Sequence, residues 1–267
     1  METGINLFCY NNEISIDRQI ELMRQNGFRN TFMMADGSKL TDETVGKLNA
    51  ADITLATLHA PFFGINEVWK QGEMGDKVLR GLIDGVKRCE EYNIPVLVVH
   101  LSSKYPPPMI TDIGVQRLKR LMETAQASGV KIAYENQRCL SNISLVFEHF
   151  EDAGFCWDTG HEGCFTSGWE YMPLFGDKLA TVHIHDNFGV KDNDEHLLPY
   201  DGSIDFSRVA KHLVKANYDG CIMLEVFRGN SNQYNYITDA EYYARAADAA
   251  NRLAKEIEIL KKQRIYK

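Results

Sequence analysis

The sequence has no C-x-x-C pair, no long apolar run and no excess of positive charge, and each absence removes a class of protein. Its six cysteines, Cys9, Cys89, Cys139, Cys156, Cys164 and Cys221, are scattered singly. A disulfide framework is therefore not expected, and the thiols read as reduced. The most apolar stretch, IPVLVVHL at 94–101, is too short to cross a bilayer, and residues 1–10 lack the basic start and apolar stretch of a signal peptide. A cytoplasmic chain without membrane contact is the expectation. Lys and Arg number 29 against 37 Asp and Glu, a net charge of −8, so no global field favours a polyanion. Nucleic acid is a disfavoured partner, although a local basic groove stays compatible with an acidic total. No low-complexity tract or Pro/Gly-rich linker divides the chain, and its one proline cluster, YPPPM at 105–109, reads as a loop. The first strand-to-helix turn, YNNEIS at 10–15, carries no glycine fingerprint, so no nucleotide cofactor is expected. These features predict one domain over residues 1–267.

What is present is a repeated alternation. Short apolar runs fall at 5–10, 29–34, 53–59, 95–100, 130–135, 154–158, 180–185 and 220–225. Amphipathic stretches at 17–25, 75–92, 113–128 and 240–262 space apolar residues three and four apart, with charge on the other face. Eight strands alternating with helices in this length predict an α/β fold of the (β/α)8 barrel type, with a doubly wound open sheet as the alternative.

Polar residues close six successive runs: His59, His100, Glu135, Asp158, the pair His183 and His185, and Glu225. In a barrel the C-terminal strand ends form one mouth, so these side chains converge there. Alternation along a strand puts His183 and His185 on one face and Asp186 on the other. Three carboxylates and several imidazoles in one mouth repel or stay poorly solvated unless a cation lies among them. The mixed ligand types suit Zn, Mn, Fe or Co, which the sequence does not separate. His161, three residues after Asp158, and Asp194 and His196, in the long loop after the seventh run, can reach the same mouth. The plain alternatives are structural salt bridges for Glu135, Asp158 and Glu225, and capping or substrate contact for His59 and His100. His149 and His212 read as structural residues. Trp157 and Phe8 read as barrel core, whereas Phe62 and Trp69 are placed to line a pocket. Arg228, three residues beyond Glu225, lies where many barrels place a phosphate site, and a solvated loop arginine is the alternative.

Taken together, LHAPF (58–62), YEN (134–136), WDTGH (157–161), HIHD (183–186), DEHLLPYDGSIDF (194–206) and LEVF (224–227) resemble the xylose-isomerase-like TIM-barrel superfamily. That superfamily holds sugar-phosphate isomerases and epimerases, ketose 3-epimerases, inosose-processing enzymes and endonuclease IV. The likeness to the ketose-epimerase branch implies one divalent metal held by Glu135, Asp158, His183 and Glu225, with His185 as a neighbour for substrate or a second metal. It also implies Glu135 and Glu225 as the two proton carriers of an enediolate mechanism, and a sugar or sugar phosphate as substrate.

The endonuclease IV branch, with three zinc ions and abasic DNA as substrate, finds ligand types at His59, His100, Glu135, Asp158, His161, His183, Asp194, His196 and Glu225. Against it stand the acidic balance, HLSS at 100–103 in place of the nuclease His-Pro-Gly, and ENQ at 135–137 without the glycine-rich continuation. A third reading is a barrel that senses metal or sugar without catalysis, which two opposed glutamates argue against. The substrate, the stereocentre and the phosphorylation state stay open, and no pattern marks a surface for self-association.

Overall fold

The computed structural model describes residues 1–7, 14–166 and 169–265. Eight strands form one sheet: β1 Thr3–Ile5, β2 Asn30–Met34, β3 Thr54–His59, β4 Val96–His100, β5 Lys131–Glu135, β6 Gly154–Asp158, β7 Leu179–His183 and β8 Ile222–Leu224. The helices between and after them are α1 Ile16–Gln25, α2 Asp42–Ala50, α3 Glu73–Glu91, α4 Asp112–Ala127, α5 Leu140–His149, α6 Thr159–Phe165, α7 Met172–Phe175, α8 Phe206–Lys215 and α9 Asp239–Ile265. The strand order is β7–β6–β5–β4–β3–β2–β1–β8, and every pairing is parallel. A parallel bridge between Ile184 and Leu224 joins the two ends of the sheet. The Ile184 N–H donates to the Met223 carbonyl at 2.8 Å, and the Glu225 N–H donates to the Ile184 carbonyl at 3.1 Å. The result is a (β/α)8 barrel.

Helices α1, α2, α4, α6 and α8 begin where the sequence supplies a side-chain acceptor for the unpaired first N–H groups. Thr111 caps α4 through the Gly114 N–H, and Asp205 caps α8 through the N–H groups of Ser207 and Arg208. The face α4 buries carries Leu118, Leu121 and Ala125 at three- and four-residue spacing. Full burial of each leucine contributes roughly 1.5–3 kcal/mol.

The strands carry two interleaved patterns. Leu97, Val99, Ile132, Tyr134, Phe155, Trp157 and Val182 face outward into the main core between sheet and helices. The alternate residues Val98, Ala133 and Cys156 form a separate cluster inside the barrel. Two positions further along β4, β5 and β6, on that inner face, come His100, Glu135 and Asp158. Small side chains thus fill the lower layer, and the polar strand ends form the layer above it.

Several boundaries differ from the sequence reading, among them those of the first, seventh and eighth strands. The first strand is Thr3–Ile5 instead of 5–10, because its parallel register with β8 ends at the Ile5–Leu224 pair; residues 8–10, and with them the core role expected of Phe8, lie outside the described residues. The seventh strand stops at His183, since Ile184 leaves the β6 ladder for its bridge to Leu224 and Asp186 pairs with Leu197. The five described cysteines are free thiols. Among the described residues no helix is long and apolar enough to cross a membrane.

Candidate metal centre

Strand register brings the polar ends side by side: His100 pairs with Glu135, and Asp158 with His183. Asparagines placed just past strand ends fix this alignment. Asn136 accepts the Asp158 N–H at 2.7 Å and donates to the Asp158 carbonyl at 2.8 Å. Asn6 holds Val226, next to Glu225, in the same two-point way. Both replace a strand ladder that has ended, and so keep neighbouring ligand-bearing residues in step.

Four overlapping sets of ligand-type atoms meet here among the described residues, each within 4.8 Å: His59, His100 and Glu135; Glu135, Asp158, His183 and Glu225; His161, His185, Asp194 and His196; and Glu135, His183 and Cys156. In the first set, His59 Nε2 lies 3.2 Å from His100 Nε2 and 3.2 Å from Glu135 Oε2, and His100 Nε2 lies 2.6 Å from that oxygen. In the second, His183 Nδ1 stands 3.0 Å from Glu135 Oε1 and 3.2 Å from Glu225 Oε2. In the third, Asp194 Oδ2 is 3.2 Å from His161 Nε2 and 3.0 Å from His196 Nε2. A tetrahedral zinc ion with bonds of about 2.0–2.1 Å leaves its ligand atoms about 3.3 Å apart, so these spacings fit a divalent ion in nitrogen and carboxylate donors. Two imidazole nitrogens facing each other across 3.2 Å beside one carboxylate oxygen are otherwise poorly matched as hydrogen-bond partners. Glu135 directs Oε2 at the first set and Oε1 at the second.

The two neighbouring histidines part company. His183 faces Glu135 and Glu225 and stacks on Phe32 with centroids 4.6 Å apart. His185 lies 3.0 Å from Asp158 and stacks on His196 at 4.0 Å. Asp186 turns away into the loop and accepts N–H groups from Asn187, Gly202 and Ile204. It thereby folds the segment that carries Asp194 and His196 back over the mouth.

Electrostatics hold the cluster as ion pairs. Burial would raise the Glu135 carboxyl, but His183 and His100 hold it well below the usual carboxylate range. Burial likewise opposes ionisation of Glu225 and Asp194, and His183 and His196 outweigh it for Glu225. For Asp194 the outweighing groups are His196 and His161. Burial would lower the imidazoles, yet Asp158 and Asp194 raise His161 to about 10, and Asp194 raises His196 to about 9. His183 rises well above its ordinary value, against its burial, through Cys156, Glu225 and Glu135. His100 goes the other way, lowered by burial despite Glu135.

Above the cluster opens a cavity of about 220 Å³, lined by His59, His100, His161, Asp194, His196 and Glu225 together with Met34, Phe62, Phe165 and Phe227. Ser103, Lys104, Gln137 and Arg138 complete its wall. Gln137 was not singled out in the sequence; its amide nitrogen reaches His161 Nδ1 at 3.0 Å and His100 Nε2 at 3.3 Å. Its position directly after the Glu135–Asn136 strand end is the only sequence signal for it. Phe62 lines the cavity, but Trp69 does not: it is buried, and its indole N–H donates to the Leu101 carbonyl at 2.7 Å. Arg228 is turned from the mouth to Asp239 and the Ile237 carbonyl, which occupy its guanidinium.

The family model described as a xylose isomerase-like TIM barrel matches residues 18–263. The protein y4fM of Sinorhizobium fredii is 32% identical over 145 residues, 53% of this chain, and the match spans 44% of that relative's length. D-psicose 3-epimerase from Clostridium cellulolyticum H10, solved with D-tagatose, superposes with a TM-score of 0.78 at 16% identity, covering 96% of this chain and 99% of that one. The IOLI protein with a binding zinc atom superposes at 0.74 with 18% identity, covering 96% and 98%. At such identities the likeness is one of fold.

Proposed function

The chain belongs to the xylose isomerase-like TIM barrel family, and on that footing we propose that it is a divalent-metal-dependent isomerase or epimerase of a monosaccharide or its phosphate. The observation that carries this reading is the small cavity of about 220 Å³ that Glu225 lines, walled by polar side chains together with Phe62, Phe165 and Phe227. That volume is below the usual range for drug-sized ligands and suits a single sugar. A divalent ion bound by Glu135, Asp158, His183 and Glu225 would polarise a sugar carbonyl and its neighbouring hydroxyl, which acidifies the adjacent C–H. In this reading Glu225, which lines the cavity, takes that proton. Glu135, deeper and fully buried, is the second carrier that returns a proton, to the same carbon in epimerisation or to its neighbour in isomerisation. His161, raised to about 10, donates a hydrogen bond to the oxygen on which negative charge develops.

One observation favours a second reading, hydrolysis of a phosphodiester at abasic DNA: Glu135 turns its two oxygens to separate histidine sets, and a third set lies beside them. The two readings separate by experiment. One divalent ion per chain by elemental mass spectrometry, with solvent deuterium entering a ketose, supports the sugar enzyme. Close to three zinc ions, with cleavage of abasic DNA and no deuterium uptake, replaces it. Glu135→Gln and Glu225→Gln should each lower turnover by about 10²–10⁴; near-normal rates in both variants would sink the proton-transfer mechanism.

A further inference from the structure

The floor of the mouth is built from carboxylates and imidazoles, but one side of its wall is cationic. Arg138 follows Glu135 by three residues, and Lys104 follows His100 by four; both line the cavity that Glu225 and His161 line. The Arg138 side chain is only 13% exposed. Its Nε donates to Asp192 at 2.9 Å, and its guanidinium carbon lies 3.5 Å from the centroid of the Phe165 ring. Phe165 in turn stacks on His161, with centroids 4.8 Å apart and planes at 21°. Arginine, phenylalanine and histidine therefore form one layered stack from the cavity wall to the candidate metal centre.

With Nε engaged and the plane fixed by stacking, the two terminal nitrogens of Arg138 have no ion partner among the described residues. Lys104 is in no ion pair among them either, and its backbone takes the left-handed conformation, φ 61°. Lys191 adds a third positive charge nearby, its ammonium 5.4 Å from the centroid of the Tyr105 ring, which Arg138 approaches at the same distance. Such a concentration runs against the net charge of −8. A largely buried guanidinium with an open fork is matched by a planar or tetrahedral oxyanion, and an ammonium on the same wall can share a third oxygen. Arg228, bound to Asp239, is not available for that purpose.

We propose that Lys104 and Arg138 form an anion subsite that seats a phosphoryl group, so that the substrate is a phosphorylated one whose far end lies at Glu225. The sugar at that far end rests on the isomerase reading; the subsite itself does not.

The test uses the metal-loaded full chain and inorganic phosphate as probe, with binding followed by calorimetry at fixed ionic strength. Wild type, Arg138→Gln and Lys104→Gln are compared after their metal content has been measured. Each substitution should weaken phosphate binding about tenfold or more, with metal content unchanged. Equal affinity in all three proteins, or no binding by the wild type, overturns the subsite, because phosphate would then sit on the metals or nowhere. Lys104→Gln, at an exposed position, carries the test alone if Arg138→Gln does not fold. Matched free and phosphorylated ketoses then separate the two claims. Arg138-dependent phosphate binding without deuterium uptake by any ketose phosphate leaves the subsite standing and removes the isomerase reading. Turnover of free and phosphorylated ketoses with equal KM, unchanged by either substitution, does the reverse.

Discussion

Glu135 is fully buried and still held as a carboxylate, because His59, His100 and His183 surround it. The same pairing makes the metal-stripped protein sensitive to pH on both sides. Glu135 and Asp194 are held below their ordinary values of 4.5 and 3.8, so the stability they contribute is present above those values and is lost as pH falls. His161 and His196 are raised from 6.5 to about 10 and about 9, so their contribution is complete below 6.5 and is lost as pH climbs toward those values. After chelation, Tm should therefore peak between about 4.5 and 6.5 and decline on either side; a flat Tm from about pH 5 to 9 would contradict the ion-pair account. Gly160 offers a second residue-scale test. A Cβ there would lie 1.8 Å from the His185 ring, whereas at Gly46 it would meet nothing within 4 Å. Gly160→Ala should displace His185 from Asp158 and weaken metal retention about tenfold in a chelator competition, with Gly46→Ala unaffected. Equal retention in the two variants would show that His185 has no part in holding metal.

At the scale of elements, the strand ends were legible in the sequence because alternation along a strand is strict. Val98 to His100, Ala133 to Glu135 and Cys156 to Asp158 each step two residues from a small interior side chain to a candidate ligand. The residues that hold those ends in register carry no period. Asn6, Asn136 and Asp186 act on backbone groups of segments distant in sequence, so nothing local distinguishes them from loop residues. Trp69 shows the same limit: as an aromatic in a loop after a strand it read as pocket lining, but the loop is pinned from beneath. Arg117 on α4 donates to the carbonyls of Val68, Lys70 and Gly72 and pairs with Asp76, while Trp69 presses against Gly114, where a Cβ would lie 2.3 Å from its ring. Arg117→Met should cost about 1–3 kcal/mol in urea unfolding, since it leaves the buried Val68 carbonyl and the part-buried bonds to Lys70 and Gly72 without their donor. Its metal content should stay normal, because this anchor lies under the loop and not among the ligands. A loss within 0.5 kcal/mol, of the size expected for a surface change, would mean that the loop does not depend on it.

For the whole molecule, eight strand segments and the barrel they close into followed from the alternation of apolar runs and helices, while the residue that closes the ring did not. Closure rests on Ile184, the residue between the two histidines, whose backbone meets β8 through two hydrogen bonds. On one side of it His183 reaches Glu225 of the β8 end, and on the other His185 reaches Asp158 of β6. A bound ion would thus act as a rivet through the seam of the ring, and opening the seam and releasing the ion would be one event. The amide hydrogens of Ile184 and Glu225 report on it: their exchange with deuterated solvent should slow on metal addition by more than that of the Leu97 or Ile132 amides, which lie in ladders away from the seam. Equal slowing everywhere would mean that the metal stabilises the barrel as a whole. Selective slowing would make this joint the door through which the centre is loaded and emptied.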